Sequence, residues 1–139
     1  MKIALDAMGG DQAPDVTIGG ARNALAAYPS IERLFLVGDE SRLREGCREK
    51  KLNDSRLEII HAPEVVGMSE SAVGAIRRKK TSSISVATEM VKEGQADAVV
   101  SAGNTGAAVA ACTLKLRHLE GVERAGIASP LPNEFGKCN

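Results

Sequence analysis

The 139 residues are 43% hydrophobic but only 2% aromatic, so we expect one domain whose core is built from aliphatic side chains. Eighteen basic residues balance eighteen acidic ones, which excludes a global electrostatic field that would attract nucleic acid or a membrane. The three cysteines are widely spaced and form no CxxC pair, which excludes a disulfide framework and a zinc site and favours a reducing compartment.

The apolar runs of the chain predict its location. Asp6 interrupts the opening apolar run, so no signal peptide is expected. The longest run of small apolar residues, around GAAVAACTL, is well short of the roughly 20 residues that span a bilayer. A soluble cytoplasmic protein is therefore predicted.

Segments with the pattern of a strand alternate with segments that have the pattern of a helix. The apolar run before Asp6 predicts a buried strand, and a helix is predicted from Pro14, where a missing N–H costs least, to a stop at Pro29. The other predicted strands are 33–39, 56–62, 96–103 and the start of a fifth at 125–129, and the other predicted helices are 41–51, 69–80, 83–93 and 105–119. This alternation predicts a three-layer α/β fold, with helices on both faces of a mainly parallel sheet, in a single domain over residues 1–139.

The stretch SAGNTGA at residues 101–107 follows the last buried strand and leads into a helix, at the sheet edge where parallel α/β proteins bind ligands. Such a glycine-rich turn points backbone N–H groups into a hollow beside the positive end of a helix, which can bind phosphate or stabilise an oxyanion. A glycine turn in which Asn104 or Thr105 simply caps the helix explains the pattern equally well. The stretch is neither a P-loop nor a dinucleotide fingerprint, so nucleotides are not favoured.

The stretch DAMGGD at residues 6–11 places two carboxylates, Asp6 and Asp11, at the same edge of the sheet. They can orient a catalytic group, accept a proton or bind a metal. In the simpler interpretation, Asp11 caps the next helix and Asp6 holds the loop. The residues alone favour the simpler interpretation, because two aspartates without a histidine make a poor metal site.

The stretch RRKKTSS at residues 77–83 is the third candidate. Successive residues of a helix fan around its axis, so only one or two of the four basic side chains can face a single ligand. Arginine suits bidentate contact with phosphate, whereas a solvated helix end is the plainer explanation of the run. No aromatic residue interleaves with the basic ones, which argues against single-stranded nucleic acid.

Taken together and in this order, DAMGGD, VGD, the basic run with its serines and SAGNTGA resemble the PlsX family. These are the acyl-acyl-carrier-protein:phosphate acyltransferases of bacterial phospholipid synthesis. The resemblance spans essentially the whole chain. It departs at Ala72, where the family commonly has proline, and at Gly74, where it commonly has a larger residue.

The resemblance implies transfer of a fatty acyl group from acyl carrier protein to inorganic phosphate, with no cofactor and no metal. It implies a fold similar to phosphotransacetylases and isopropylmalate dehydrogenases, and a cytoplasmic homodimer that sometimes lies at the membrane periphery. Family members are considerably longer, so the chain is expected to be the amino-terminal part of an enzyme. A non-catalytic module that binds phosphate or carrier protein, and an enzyme acting on coenzyme A esters, are the alternatives.

The site residues are predicted from the motifs and from this resemblance. The predicted catalytic residues are Asp6, Lys80 and Asn104, and the predicted phosphate or oxyanion contacts are Gly10, Asp11, Arg78, Ser83, Ser101, Gly103, Asn104, Thr105 and Gly106. Phosphate is already a nucleophile near neutral pH, so the site needs to position it and to stabilise developing charge rather than to activate a serine or cysteine.

Overall fold

The structure is a computed structural model that describes residues 1–129, 131–133 and 136–138. Its elements in chain order are β1 (Lys2–Asp6), α1 (Asp15–Ala27), β2 (Arg33–Gly38), α2 (Glu40–Glu49), β3 (Leu57–His61), α3 (Ala72–Arg78), α4 (Ser83–Lys92), β4 (Ala98–Ser101), α5 (Thr105–Lys115), β5 (Leu131–Asn133) and β6 (Gly136–Cys138). The strands β5 and β6 pair with each other as an antiparallel hairpin.

The main sheet of the described residues has the strand order β3-β2-β1-β4, and all its neighbours are parallel. The chain first moves outward from β1 through β2 to β3. It then crosses back to place β4 on the other side of β1. The strand order therefore reverses between β1 and β4, and such a reversal opens a crevice at the carboxyl ends of the two strands.

Helices cover both faces of this sheet. On one face α1 and α2 pack against the sheet through Ile18, Leu25, Leu43 and their neighbours. On the other face α4 packs through Ala87 and Met90, and α3 and α5 extend that layer. The predicted three-layer α/β class is confirmed.

Hydrogen bonds from loop and helix side chains fix the connections. The side chain of Asp39 accepts from the backbone N–H of Arg42, so the VGD loop ends as the N-cap of α2. The Thr17 hydroxyl lies 2.7 Å from the carbonyl oxygen of Ala7, which holds α1 against the loop that follows β1. Arg56 donates to the carbonyl oxygens of Leu25 and Ile31, and so joins the end of α1 and the start of β2 to β3.

Three predicted boundaries are wrong. Residues 125–129 form no strand: they lie exposed and make no ladder with β4, the edge strand of the main sheet. The helix predicted at 69–80 covers only α3, since Ser71 is extended and Lys79 leaves the helical region. The helix predicted at 105–119 ends with α5 at Lys115, and Arg117 beyond it has a positive φ of 66°.

The described helices range from seven residues in α3 to thirteen in α1. Across the part of the chain that the structure describes, none of them combines the length and the apolar character needed to cross a membrane.

The ion pair of Asp54 and Arg56 predicts a specific acid sensitivity. Hydrogen bonds from Arg56 lower the pKa of Asp54 from 3.8 to about 2, so the pair contributes fully above about pH 4. That contribution is lost as the pH falls towards 2. We expect Asp54→Asn to be less stable than the wild type at pH 5, and the difference to shrink at pH 2.5. Urea unfolding at both pH values measures it, and a constant difference would contradict the assignment.

Candidate active site

Asp6 and Ser101 meet at the point where the strand order reverses. They are register partners at the carboxyl ends of β1 and β4, so their side chains leave the sheet on the same face. The Ser101 hydroxyl donates to Oδ2 of Asp6 at 2.8 Å, and the backbone N–H of Gly103 lies 3.1 Å from the same hydroxyl oxygen. The two predicted motifs are therefore brought together at one place.

The loops after β1 and β4 touch through glycines. A Cβ atom built on Gly9 would lie 2.6 Å from Oδ2 of Asp6 and 2.9 Å from the backbone nitrogen of Gly103. Gly10 has a φ of +105°, which disfavours other residues, and a Cβ there would lie 3.2 Å from the carbonyl oxygen of Ala102. Gly9, Gly10 and Gly103 are required by this close approach, whatever ligand the loops bind.

A cavity of about 10 Å³ lies beside the Asp6–Ser101 pair. Ser83, the first residue of α4, and Asn104, the N-cap of α5, also line it, so two helices begin at its wall. Asp6 is 3% exposed, and its Oδ1 has no hydrogen-bond partner among the described residues. The cavity has room for about one water molecule.

Asn104 joins α5 to the loop that covers this cavity. Its Oδ1 accepts from the backbone N–H of Ala107 at 3.0 Å, which caps the helix. Its Nδ2 lies 3.1–3.3 Å from the carbonyl oxygens of Gly67, Met68 and Glu70. We call residues 65–71 the strap; its Val65 and Val66 form part of the cavity wall.

Lys79 holds the other side of the strap. Its Nζ donates to the carbonyl oxygen of Val65 at 2.7 Å and to Oε1 of Glu70, which also accepts from the backbone N–H of Gly67. The hydrogen bond from Lys79 lowers the pKa of Glu70 below its usual value. Sequence reasoning selected Arg78 and Lys80 and missed Lys79, because nothing in the basic run marks which side chain turns inward.

The remaining predicted residues lie around the cavity rather than in its wall. Thr105 and Gly106 are the exposed first residues of α5, and Asp11 is exposed in the loop before α1. Arg78 and Lys80 are exposed and do not line the cavity, and Arg78 lies along α3 beside Gly74. Their contact with phosphate stays a prediction.

The contact between the two glycine loops predicts that Gly9→Ala is destabilising. The added methyl group would overlap Asp6 and Gly103, and we expect the free energy of unfolding to fall by about 1–3 kcal/mol. Gly19→Ala is the matched control, because Gly19 lies in α1 with no atom within 4 Å of the new methyl group. It should raise stability by about 0.5–1 kcal/mol. Urea unfolding compares the two, and equal effects would contradict the close contact.

Asn104 both caps α5 and binds the strap, so we expect Asn104→Ala and Asn104→Ser to differ in their effects. Both substitutions remove the Nδ2 donors, so amide hydrogen exchange in the strap should become faster in both variants. Serine retains a capping oxygen, so Asn104→Ser should be more stable than Asn104→Ala by about 1 kcal/mol. Unchanged exchange in residues 65–71 would show that Asn104 does not hold the strap.

Comparisons with known proteins agree with these motifs. A family model described as "Fatty acid synthesis protein" matches residues 1–139. A phosphate acyltransferase of Akkermansia muciniphila is 60% identical over all of this chain and 40% of its own length. A phosphate acyltransferase of Desulforamulus reducens is 50% identical over 98% of this chain and 40% of its own length. One of Neisseria meningitidis is 46% identical over 95% of this chain and 37% of its own length.

The chain thus spans about 40% of the length of these relatives. It belongs to the fatty acid synthesis protein family, and the resemblance of its motifs to the PlsX phosphate acyltransferases is confirmed.

Proposed function

We propose that the chain serves in the transfer of a fatty acyl group from acyl carrier protein to inorganic phosphate, giving an acyl phosphate for phospholipid synthesis. One observation supports this above the others. The glycine loops after β1 and β4 converge on the buried Asp6 and its partner Ser101, in a chain whose 60% identical relative is named a phosphate acyltransferase. The convergence lies at the crevice where α/β sheets bind ligands.

The geometry suits a reaction that needs positioning more than covalent catalysis. An oxygen of phosphate attacks the thioester carbonyl carbon, the carbon–sulfur bond breaks, and the electron pair leaves with the carrier's sulfur. The first turns of α4 and α5 offer N–H groups and partial positive charge for the phosphate and for the developing oxyanion. The proton of hydrogen phosphate ends on the departing thiolate, so the step balances without a cofactor.

The exposed basic residues supply a surface for the carrier protein. Arg77, Arg78 and Lys80 all lie exposed at the end of α3 and just beyond it, close in the chain to the strap and to Ser83. Acidic partners are attracted to such a surface, mainly through faster association. Assembly as a cytoplasmic homodimer, and attachment to the membrane periphery, are part of the same proposal and are supported by the motif resemblance alone.

The helix ends at the crevice favour a second candidate. The first turns of α4 and α5 meet at the Asp6 cavity and can bind an anion without any bond being broken. Binding of phosphate or of acyl carrier protein without turnover is the function that this arrangement supports next best.

We expect the purified chain to release thiol from acylated carrier protein only when phosphate is present. Ser101→Ala should slow this release by about 10–100-fold, because it removes a hydrogen bond to a buried carboxylate. Ser41→Ala, at an exposed position of α2, should leave the rate unchanged.

The same assay separates the candidate functions. Saturable phosphate binding by a folded chain that releases no thiol would contradict the acyltransferase and favour the binding module. Faster release from acyl coenzyme A than from acylated carrier protein would contradict the choice of acyl donor.

A further inference from the structure

The carboxylate of Asp6 is buried and only half satisfied. Oδ2 accepts the hydroxyl of Ser101, whereas Oδ1 has no hydrogen-bond partner among the described residues, and the side chain is 3% exposed. Buried polar atoms in folded proteins are nearly always paired, and a carboxylate oxygen can only accept while it is ionised. Oδ1 therefore needs a hydrogen-bond donor from outside the described residues.

None of the described residues that line the cavity supplies that donor, so we assign it to a ligand. The Ser101 hydroxyl proton is directed to Oδ2, and the Asn104 Nδ2 is directed to the strap carbonyls. No hydrogen bond joins Ser83 to Oδ1. The side chains that complete the wall, such as Val65 and Ala107, are apolar.

The same cavity is also a place for negative charge. Ser83 is the first residue of α4 and Asn104 caps α5, so the positive ends of two helices of ten and eleven residues begin at its wall. Helix ends attract an anion, while a buried carboxylate repels one. An anion that brings its own proton satisfies both, because its O–H group donates to Oδ1 and its other oxygens accept from the helix ends.

We propose that Asp6 makes this site selective for hydrogen phosphate over sulfate. The inference rests on the proposed function, in which phosphate is the acyl acceptor. Hydrogen phosphate carries one O–H group near neutral pH, and that group donates to Oδ1. Sulfate is fully deprotonated at the same pH, so it offers only acceptors to a buried carboxylate and is repelled.

The size of the cavity fixes how the ion lies. With room for about one water molecule, the cavity admits one oxygen of the ion, which is the protonated one. The three unprotonated oxygens then remain outside, towards the first turns of α4 and α5, and one of them is free to attack the thioester. Asp6 is thus the specificity residue that turns phosphate so that its nucleophilic oxygens face outward.

Calorimetric titration of the chain with phosphate and with sulfate, at pH 7.5 and constant ionic strength, tests this. We expect the wild type to bind phosphate at least about tenfold more tightly than sulfate, as expected for a hydrogen bond to a charged group. Asp6→Asn should gain affinity for sulfate and lose most of this preference, since an amide offers an N–H donor and carries no charge. Glu45→Gln removes the same charge from an exposed position of α2 and should keep the wild-type preference.

A ligand series on the wild type keeps the test independent of whether the Asp6→Asn chain folds. Arsenate is protonated like phosphate and should bind comparably, whereas molybdate is not and should bind as weakly as sulfate. Equal wild-type affinity for phosphate and sulfate, an unchanged preference in a folded Asp6→Asn chain, or no phosphate binding at all would each overturn the proposal. If a buried water alone satisfies Oδ1, the preference will not depend on Asp6, which also overturns it.

The outcome is separable from that of the proposed function. Selective phosphate binding without thiol release supports this inference and contradicts the acyltransferase. If thiol is released and sulfate inhibits the release as strongly as phosphate promotes it, the acyltransferase is supported. The same result contradicts this inference.

Discussion

The hydrogen bond between Ser101 and Asp6 joins residues 95 positions apart and depends on one strand register. A shift of β4 by one residue would turn Ser101 to the opposite face of the sheet, since side chains alternate along a strand. A shift by two would separate Gly9 from Gly103, whose contact leaves no room for a methyl group. The pairing of β1 with β4 is thus a condition for both glycine loops, and through them for the site.

The helical layer depends on the same edge of the sheet. Asn104 begins α5 one residue after Gly103, and its amide group reaches the strap 34–37 residues earlier in the chain. Lys79 fixes the strap from the end of α3. Because Val65 and Val66 of the strap line the cavity beside Asp6, the surroundings of Asp6 depend on contacts between α3, α5 and a loop, as well as on the sheet.

Local sequence patterns predicted the features that depend on residues close together in the chain. The alternation of apolar runs and helical periods predicted the layered α/β class. The glycines after β1 and β4 lie, as predicted, at the carboxyl ends of these strands, where the strand order reverses. Long-range contacts were not predictable in this way. Lys79 and Glu70 pair across nine residues for reasons of tertiary packing, so the run RRKK could not reveal which lysine turns inward. The strand predicted at 125–129 is wrong for a related reason: a strand requires backbone pairing with another strand, and the local pattern does not show whether the segment pairs with the edge strand β4.

The arrangement of charge explains how this site differs from a nucleotide-binding loop. A P-loop places a lysine against its phosphates, whereas the described residues that line the Asp6 cavity include no lysine or arginine. In the proposed site, helix ends and a hydrogen bond to Asp6 would orient the ion and leave most of its charge on the attacking oxygens. Catalysis requires stronger interaction with the transition state than with bound phosphate, and under the proposed function helix ends beside the carbonyl would meet that requirement as negative charge moves onto its oxygen.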